Sequence, residues 1–198
     1  MRLRIAEAAA RIMAEEGVRD YGAAKRKAAA RLGASRPRHL PTNQEVAEAL
    51  LAYQRLFAVE AAAERQALLA LAADTMRLLA PFEPRLVGPV LAGATGAHAV
   101  VELHLFSEPP EEVAFFLLDR GIRYEEDERR LRPRAGAAPE PYPLFRIHRE
   151  AAPVELVVLP LRALRQAPVS PVDGRPMARA SLRAVLDLLA AAAADQPR

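Results

Sequence analysis

Glu102 and His104 interrupt an otherwise apolar segment, Val101-Glu102-Leu103-His104-Leu105-Phe106, two residues apart. Side chains on an extended strand alternate between its faces, so Glu102, His104 and Phe106 share one face while Val101, Leu103 and Leu105 share the other. Further on, "VELVVLP" (154–160) sets Glu155 inside a second apolar run. A carboxylate among apolar neighbours is costly to bury unless it is paired or bound to a metal. Two strands, each with a central glutamate, are what a sheet needs to gather acids at one spot. Mg²⁺ and Mn²⁺ take hard oxygen ligands, and metal-dependent phosphoryl transfer uses clustered carboxylates. Glu102 and Glu155 are thus the candidate catalytic pair, and Glu102, His104 and Glu155 the candidate metal ligands. As a ligand, the His104 imidazole suits manganese or zinc better than magnesium. The small-residue loop Gly93, Ala94, Thr95, Gly96 precedes the first strand and leaves its backbone N–H groups open to a phosphate. The plainer reading is that both glutamates lie at a solvent-facing edge, paired with an arginine such as Arg146, and that His104 is a hydrogen-bonded structural residue.

The elements that must position these residues follow from periodicity and punctuation. Residues 3–16 read as an amphipathic helix with Leu3, Ile5, Ile12 and Met13 among alanines, ended by Gly17. A second helix spans about 20–32, with Asp20 as N-cap and Gly33 as its stop. "ASRPRHLP" is a loop, because Pro37 and Pro41 forbid continued helix. Thr42 to Glu45, "TNQE", form a capping box that opens a helix with Val46, Leu50, Tyr53 and Phe57 on its inward face. Leu68, Ala72, Met76 and Leu79 extend the stripe, which predicts two helices over 43–80, broken near 59–63 and packed as a hairpin. From "PFEP" (81–84) the pattern changes to strands: "LVGPVLAG", "AVVELHLF", "IRYEED", "YPLFRIH" and "VELVVLP". A helix from Pro109 and Pro110 to Arg120 falls among them, with Val113, Phe116 and Leu117 as its stripe and Phe115 and Leu118 widening it. Ser181 to Ala192 closes the chain as a helix. The expected class is α+β: an all-helical N-terminal region over residues 1–80, then a small mixed α/β domain over 81–198.

Composition bounds the function. Across 198 residues, 52% are hydrophobic and 27% charged, the balance of a globular protein with a real core. There is no cysteine, which rules out disulfides and thiolate metal sites. Glu7 and Arg11 break any signal-peptide core, and no stretch approaches a membrane span, so a cytoplasmic location with no membrane partner is expected. Residues 1–40 carry ten Arg/Lys against four acids, whereas the rest is mildly acidic. Such a basic head is more often a solvated helical surface than a nucleic-acid footprint, and nucleic acid is not expected as a partner. Arg129, Arg130, Arg132 and Arg134, and separately Arg175 and Arg179, offer either solvated turns or contacts to a triphosphate. No HExxH, Ser-His-Asp arrangement or GxGxxG motif is present.

The small loop, "VVELHLF" and "VELVVL" together resemble the nucleotidyltransferase superfamily in its minimal bacterial form, over about residues 85–160. That family shows a Gly-Ser turn, an Asp-x-Asp or Asp-x-Glu strand, and a third carboxylate on a later strand. Gly93-Ala94 stands at the Gly-Ser turn. Either Val100 and Glu102 or Glu102 and His104 stand at the acidic pair, and Glu155 at the third carboxylate. The resemblance implies a nucleotidyltransferase-like sheet domain binding a nucleoside triphosphate with Mg²⁺ or Mn²⁺. Because one acid is replaced in either register, it also implies weak or absent catalysis. The alternative is a non-enzymatic nucleotide- or protein-binding scaffold with a protein partner, like an antitoxin. The whole chain is also similar to a group of bacterial proteins of this length, through "AAARIMAEEGVRDYGAAKRKAAARLG", "LPTNQEVAEALLAYQRLF" and "LLDRGIRYE". Some of that group carry the label UDP-N-acetylmuramate–alanine ligase. Such ligases need a Gly-Lys-Ser/Thr phosphate loop, and Lys25 and Lys27, the only lysines, lie in none. The first two helices resemble those of a tetracycline-repressor-type regulator, but "RPRHLPTN" puts two prolines where the recognition helix must follow.

Overall fold

The computed structural model describes residues 1–34, 40–55, 58–96 and 98–194. Helices α1 (Arg2–Glu16), α2 (Tyr21–Arg31) and α3 (Asn43–Arg55) form the head. Ile5, Ala6, Ala9 and Ile12 of α1 pack with Ala24 and Ala28 of α2 and with Val46 of α3 in one apolar cluster. The alanines let the helices approach closely at little side-chain entropy cost. The punctuation read from the sequence is present. Gly17 ends α1 at φ 68°, and the Asp20 side chain accepts from Ala23 N–H at 2.6 Å. Thr42 Oγ1 accepts from Glu45 N–H at 3.1 Å while Glu45 Oε2 accepts from Thr42 N–H at 2.6 Å, so two orphan donors are satisfied reciprocally. Leu3, expected inside, is 69% exposed. The loop around Pro37 falls at residues 35–39, outside the described residues.

Helix α4 (Ala58–Leu78) follows α3 as a separate helix and runs unbroken through 59–63, where the break was expected; residues 56–57 lie outside the described residues. The expected hairpin is not the main packing. α3 lies against α1, whereas α4 lies against the C-terminal helix α7 (Leu182–Ala194) and the sheet. Although α4 falls within the helical region expected over 1–80, Leu69, Ala72, Met76 and Leu79, from α4 and the residue after it, are buried in the core beneath the sheet.

The sheet has the order β1-β2-β5-β4-β3, with β1 (Arg85–Val87), β2 (Val101–Phe106), β3 (Glu125–Leu131), β4 (Glu140–Ile147) and β5 (Val154–Leu159). β2 and β5 are parallel and every other pair is antiparallel. Val101, Leu103 and Leu105 of β2 join Val154, Leu156 and Val158 of β5 on the back face, over α4, α7 and α6 (Glu111–Asp119). The front face carries a smaller apolar cluster of Phe106, Tyr142, Leu144, Val157 and Leu159. Covered on both sides, β5 is buried at every residue.

Three expectations are corrected. "LVGPVLAG" is not one strand: β1 ends at Val87, and Gly88–Leu91 is a short helix, α5. Pro89 sits in its first turn, where a missing N–H costs nothing. Phe115 and Leu118 do not widen the α6 stripe but face outward, 63% and 59% exposed, while Val113 and Leu117 are fully buried. The third strand starts at Glu125 rather than Ile122, because Ile122 and Tyr124 pack against the core before the strand begins. At a sheet edge with both faces wet, β3 has no apolar alternation to announce it. No helix among the described residues is long and apolar enough to cross a membrane.

Truncating the buried Leu69 to Ala is expected to cost about 2–5 kcal/mol by transfer loss and cavity formation. Phe115→Ser is expected to stay within about 0.5 kcal/mol of the parent. Urea denaturation of both variants reads the difference; equal losses would contradict the outward placement of Phe115.

Candidate functional site

The parallel β2–β5 pair sets Glu102 directly opposite Glu155, and β4 sets Arg146 beside Glu155 on the other side. All three side chains lie on the front face, and all three strands are interior to the sheet. The edge position in the plainer reading is therefore replaced by a central one, although the Arg146 partnership in that reading is present. Glu155 is fully buried and Glu102 nearly so, its side chain 16% exposed. No solvent is left to screen Glu155, so its charge must be met by protein.

Guanidinium groups meet it. Arg19, in the turn between α1 and α2, reaches across from the head and spans the pair: Nη1 donates to Glu155 Oε1 at 2.6 Å and Nη2 to Glu102 Oε1 at 2.8 Å. Arg146 donates to Glu155 Oε1 from Nε at 3.2 Å and from Nη2 at 3.1 Å. Arg129 of β3 donates from Nη2 to Glu155 Oε2. Burial alone would push the Glu155 carboxyl up, but bonds to Arg19 and the charges of Arg19 and Arg129, with Arg146 added, hold it below the usual range. Glu102 moves the other way: burial and the neighbouring Glu155 raise it more than Arg129 and Arg19 lower it. The two carboxylates therefore differ in kind, one a locked anion and the other reluctant to carry charge. The head turn fits closely around them. Tyr21 is raised by burial and by the Glu102 charge, and a Cβ on Gly17 would come within 3.0 Å of the His98 ring.

His104 lies two residues along β2 from Glu102, opposite Arg85 of β1 on one side and Val157 of β5 on the other. It is 1% exposed, its Nδ1 has no hydrogen-bond partner, and burial, with Arg179 and Arg129 nearby, pushes its pKa down to about 3. The loop from Gly93 to Gly96 is not open as expected. Ala94 and Thr95 are buried, and a Cβ on Gly93 would sit 2.6 Å from the Arg65 guanidinium of α4. The glycine lying against Glu102 is Gly88, at φ 73°, where a Cβ would come 2.8 Å from Glu102 Oε2. Neither family models nor curated proteins match this chain.

A divalent metal needs several free oxygen or nitrogen donors converging on one point. Here both carboxylates are spent on guanidinium groups, and among the described residues no three of His, Cys, Asp and Glu gather as a metal would require. The donor set as arranged does not fit a divalent cation. Sequence reasoning placed Glu102 and His104 on one face and offered Glu155 as a partner from a second strand, but missed Arg19 and Gly88. Gly88-Pro89 straight after "LV" was a readable signal of a strand-to-helix turn. Arg19 was not readable, because nothing local sends one head arginine rather than another to a strand 83 residues away.

Glu155→Gln removes one partner of a buried pair and leaves three guanidinium groups facing each other. An expected loss of about 3–5 kcal/mol follows, read by urea denaturation, whereas half-exposed Arg19→Ala should cost less because Arg129 and Arg146 remain. For His104, a folded-state pKa near 3 lies below the ordinary 6.5, so the unfolded chain binds the proton first as pH falls. Its contribution is intact above about pH 6.5 and lost progressively down to about 3, roughly 2 kcal/mol between pH 7 and 5. The raised Glu102 works in the opposite sense, its contribution being lost as pH rises. The difference between the parent and His104→Leu in denaturation against pH isolates the histidine, and parallel curves would show that it does not carry the slope.

Proposed function

We propose that this chain is a nucleotidyltransferase-like scaffold whose metal chemistry has been replaced by an arginine clamp, so that it binds a nucleotide or a protein partner without transferring a nucleotidyl group. The observation that carries the reading is Arg19 bridging Glu102 and Glu155 at 2.8 and 2.6 Å. A guanidinium supplies positive charge to two carboxylates with directional bonds, but it offers no open coordination position at which a phosphoryl oxygen could be polarised. The likeness to the family is supported by the β1–Gly88–Pro89–α5 turn beside Glu102 and by glutamates paired across parallel strands. The departure from it is supported by the neutral imidazole of His104 and the apolar side chain of Val100, one of which occupies an acid position in either register.

Calorimetric titration with ATP, GTP, CTP and UTP, each with Mg²⁺, with Mn²⁺ and with EDTA, tests the proposal. Any binding is expected to be indifferent to EDTA and to Glu102→Ala, with no pyrophosphate released from any of the four nucleotides. Saturable binding that disappears with EDTA and in Glu102→Ala would restore the enzyme reading.

A further inference from the structure

Among the described residues, two buried side-chain nitrogens have no hydrogen-bond partner: His104 Nδ1 and Arg179 Nε. They belong to one neighbourhood on the front face. The Arg179 guanidinium lies 5.3 Å from the centre of the Phe106 ring, the next residue after His104 on that face, and its charge acts directly on His104. Arg179 forms no ion pair among the described residues. Its bonds run to backbone carbonyls, Ala163 O at 2.7 Å and Gln166 O at 3.5 Å, which orient the side chain without neutralising it. Arg85 stands opposite His104 on β1, and its charge disfavours that of Arg179. Arg129 also acts on His104, but it is already committed to Glu155.

Arg85 is itself paired with Glu83 at 3.3 Å, so the uncompensated charge is that of Arg179. An uncompensated guanidinium with two orphaned nitrogens is the converse of a metal site. We infer that His104 and Arg179 form a metal-free binding site for a phosphate group, either free phosphate or the terminal phosphate of a nucleotide. Arg179 Nε–H donates to one phosphate oxygen, and His104, in the tautomer with its proton on Nδ1, donates to another. Charge-assisted bonds of this kind are among the stronger polar contacts. Arg179 is only partly buried, in the stretch between the turn after β5 and α7, so its side chain links the buried Nε to the surface. A lone buried water would satisfy the hydrogen bonds but would leave the Arg179 charge uncompensated. The site rests on the clamp reading only in taking this face to work without metal.

Titration with inorganic phosphate, with pyrophosphate and with ATP, all in EDTA and a phosphate-free buffer, tests the assignment. Saturable binding is expected, weakened about tenfold or more by Arg179→Met, less by Arg179→Lys, and unchanged by Arg77→Ala at an exposed, remote position. Inorganic phosphate binding as tightly as ATP identifies free phosphate as the ligand; markedly tighter ATP identifies a nucleotide. Nitrogen NMR of the His104 ring should shift on phosphate addition, a readout that survives if Arg179→Met disturbs the loop. Absence of binding, or binding unchanged in both Arg179 variants, overturns the site and leaves the clamp standing. Metal-dependent ATP binding lost in Glu102→Ala would overturn the clamp instead, while phosphate binding in EDTA would still be judged by its dependence on Arg179.

Discussion

The charge on Glu155 is the constraint around which the rest of the molecule is arranged. A carboxylate on a central strand with both faces covered has no water, so it must be matched by cations at hydrogen-bond distance. Three separate parts of the chain supply them: the first interhelical turn through Arg19, the outer strand through Arg129, and the adjacent strand through Arg146. The head is thereby tied to the sheet by ionic bonds that its own small core does not provide. The apolar cluster of α1 to α3 and the cluster beneath the sheet are distinct. The Arg19 bridge is a principal connection between them, joined by Asn43 Nδ2 donating to Pro171 O at 2.7 Å.

The two faces of the sheet divide the work. The back face is mainly aliphatic and closed by α4, α6 and α7, and it carries the larger of the sheet's two apolar clusters. The front face mixes a small aromatic and aliphatic patch with a polar end, and there Glu102, His104 and Glu155 are each shifted by their surroundings. Glu102 resists its charge, Glu155 is held to it, and His104 is kept neutral, although the three lie within a few residues on adjacent strands. The difference between the two glutamates follows from how many guanidinium groups bond each one, three to Glu155 and one to Glu102, while burial keeps the basic imidazole neutral.

Local signals in the sequence were reliable because local physics sets them. Asp20, Thr42 with Glu45, Gly17 and the alternation around Glu102 each act within a turn of helix or a strand. The parallel pairing that brings Glu102 opposite Glu155 was legible only as a possibility, since alternation predicts faces and not neighbours. Arg19 lay beyond local reasoning: one head arginine among several turns inward because the packed head presents that turn to the sheet. Phe115 and Leu118 misled for the opposite reason. Composition made them look like core, and only the position of the neighbouring elements leaves that flank of α6 in solvent. The loop at 93–96 was small enough to admit a phosphate, yet the guanidinium of Arg65 lies against it.

The outer strand, Glu125–Leu131, reads Glu-Glu-Asp-Glu-Arg-Arg-Leu and lies exposed along most of its length at the border of the sheet. The parallel partners β2 and β5 are more than fifty residues apart in sequence, a pairing of the kind that forms late because a long loop must close first. While that closure is pending, the apolar strands are open to chance encounters with other chains. A border strand bearing four successive acids is a poor template for an incoming strand, since aligned copies would stack like charges on one another. The same residues that make β3 hard to recognise as a strand thus shield the molecule from templated aggregation during folding, and the finished sheet from growing by a sixth strand.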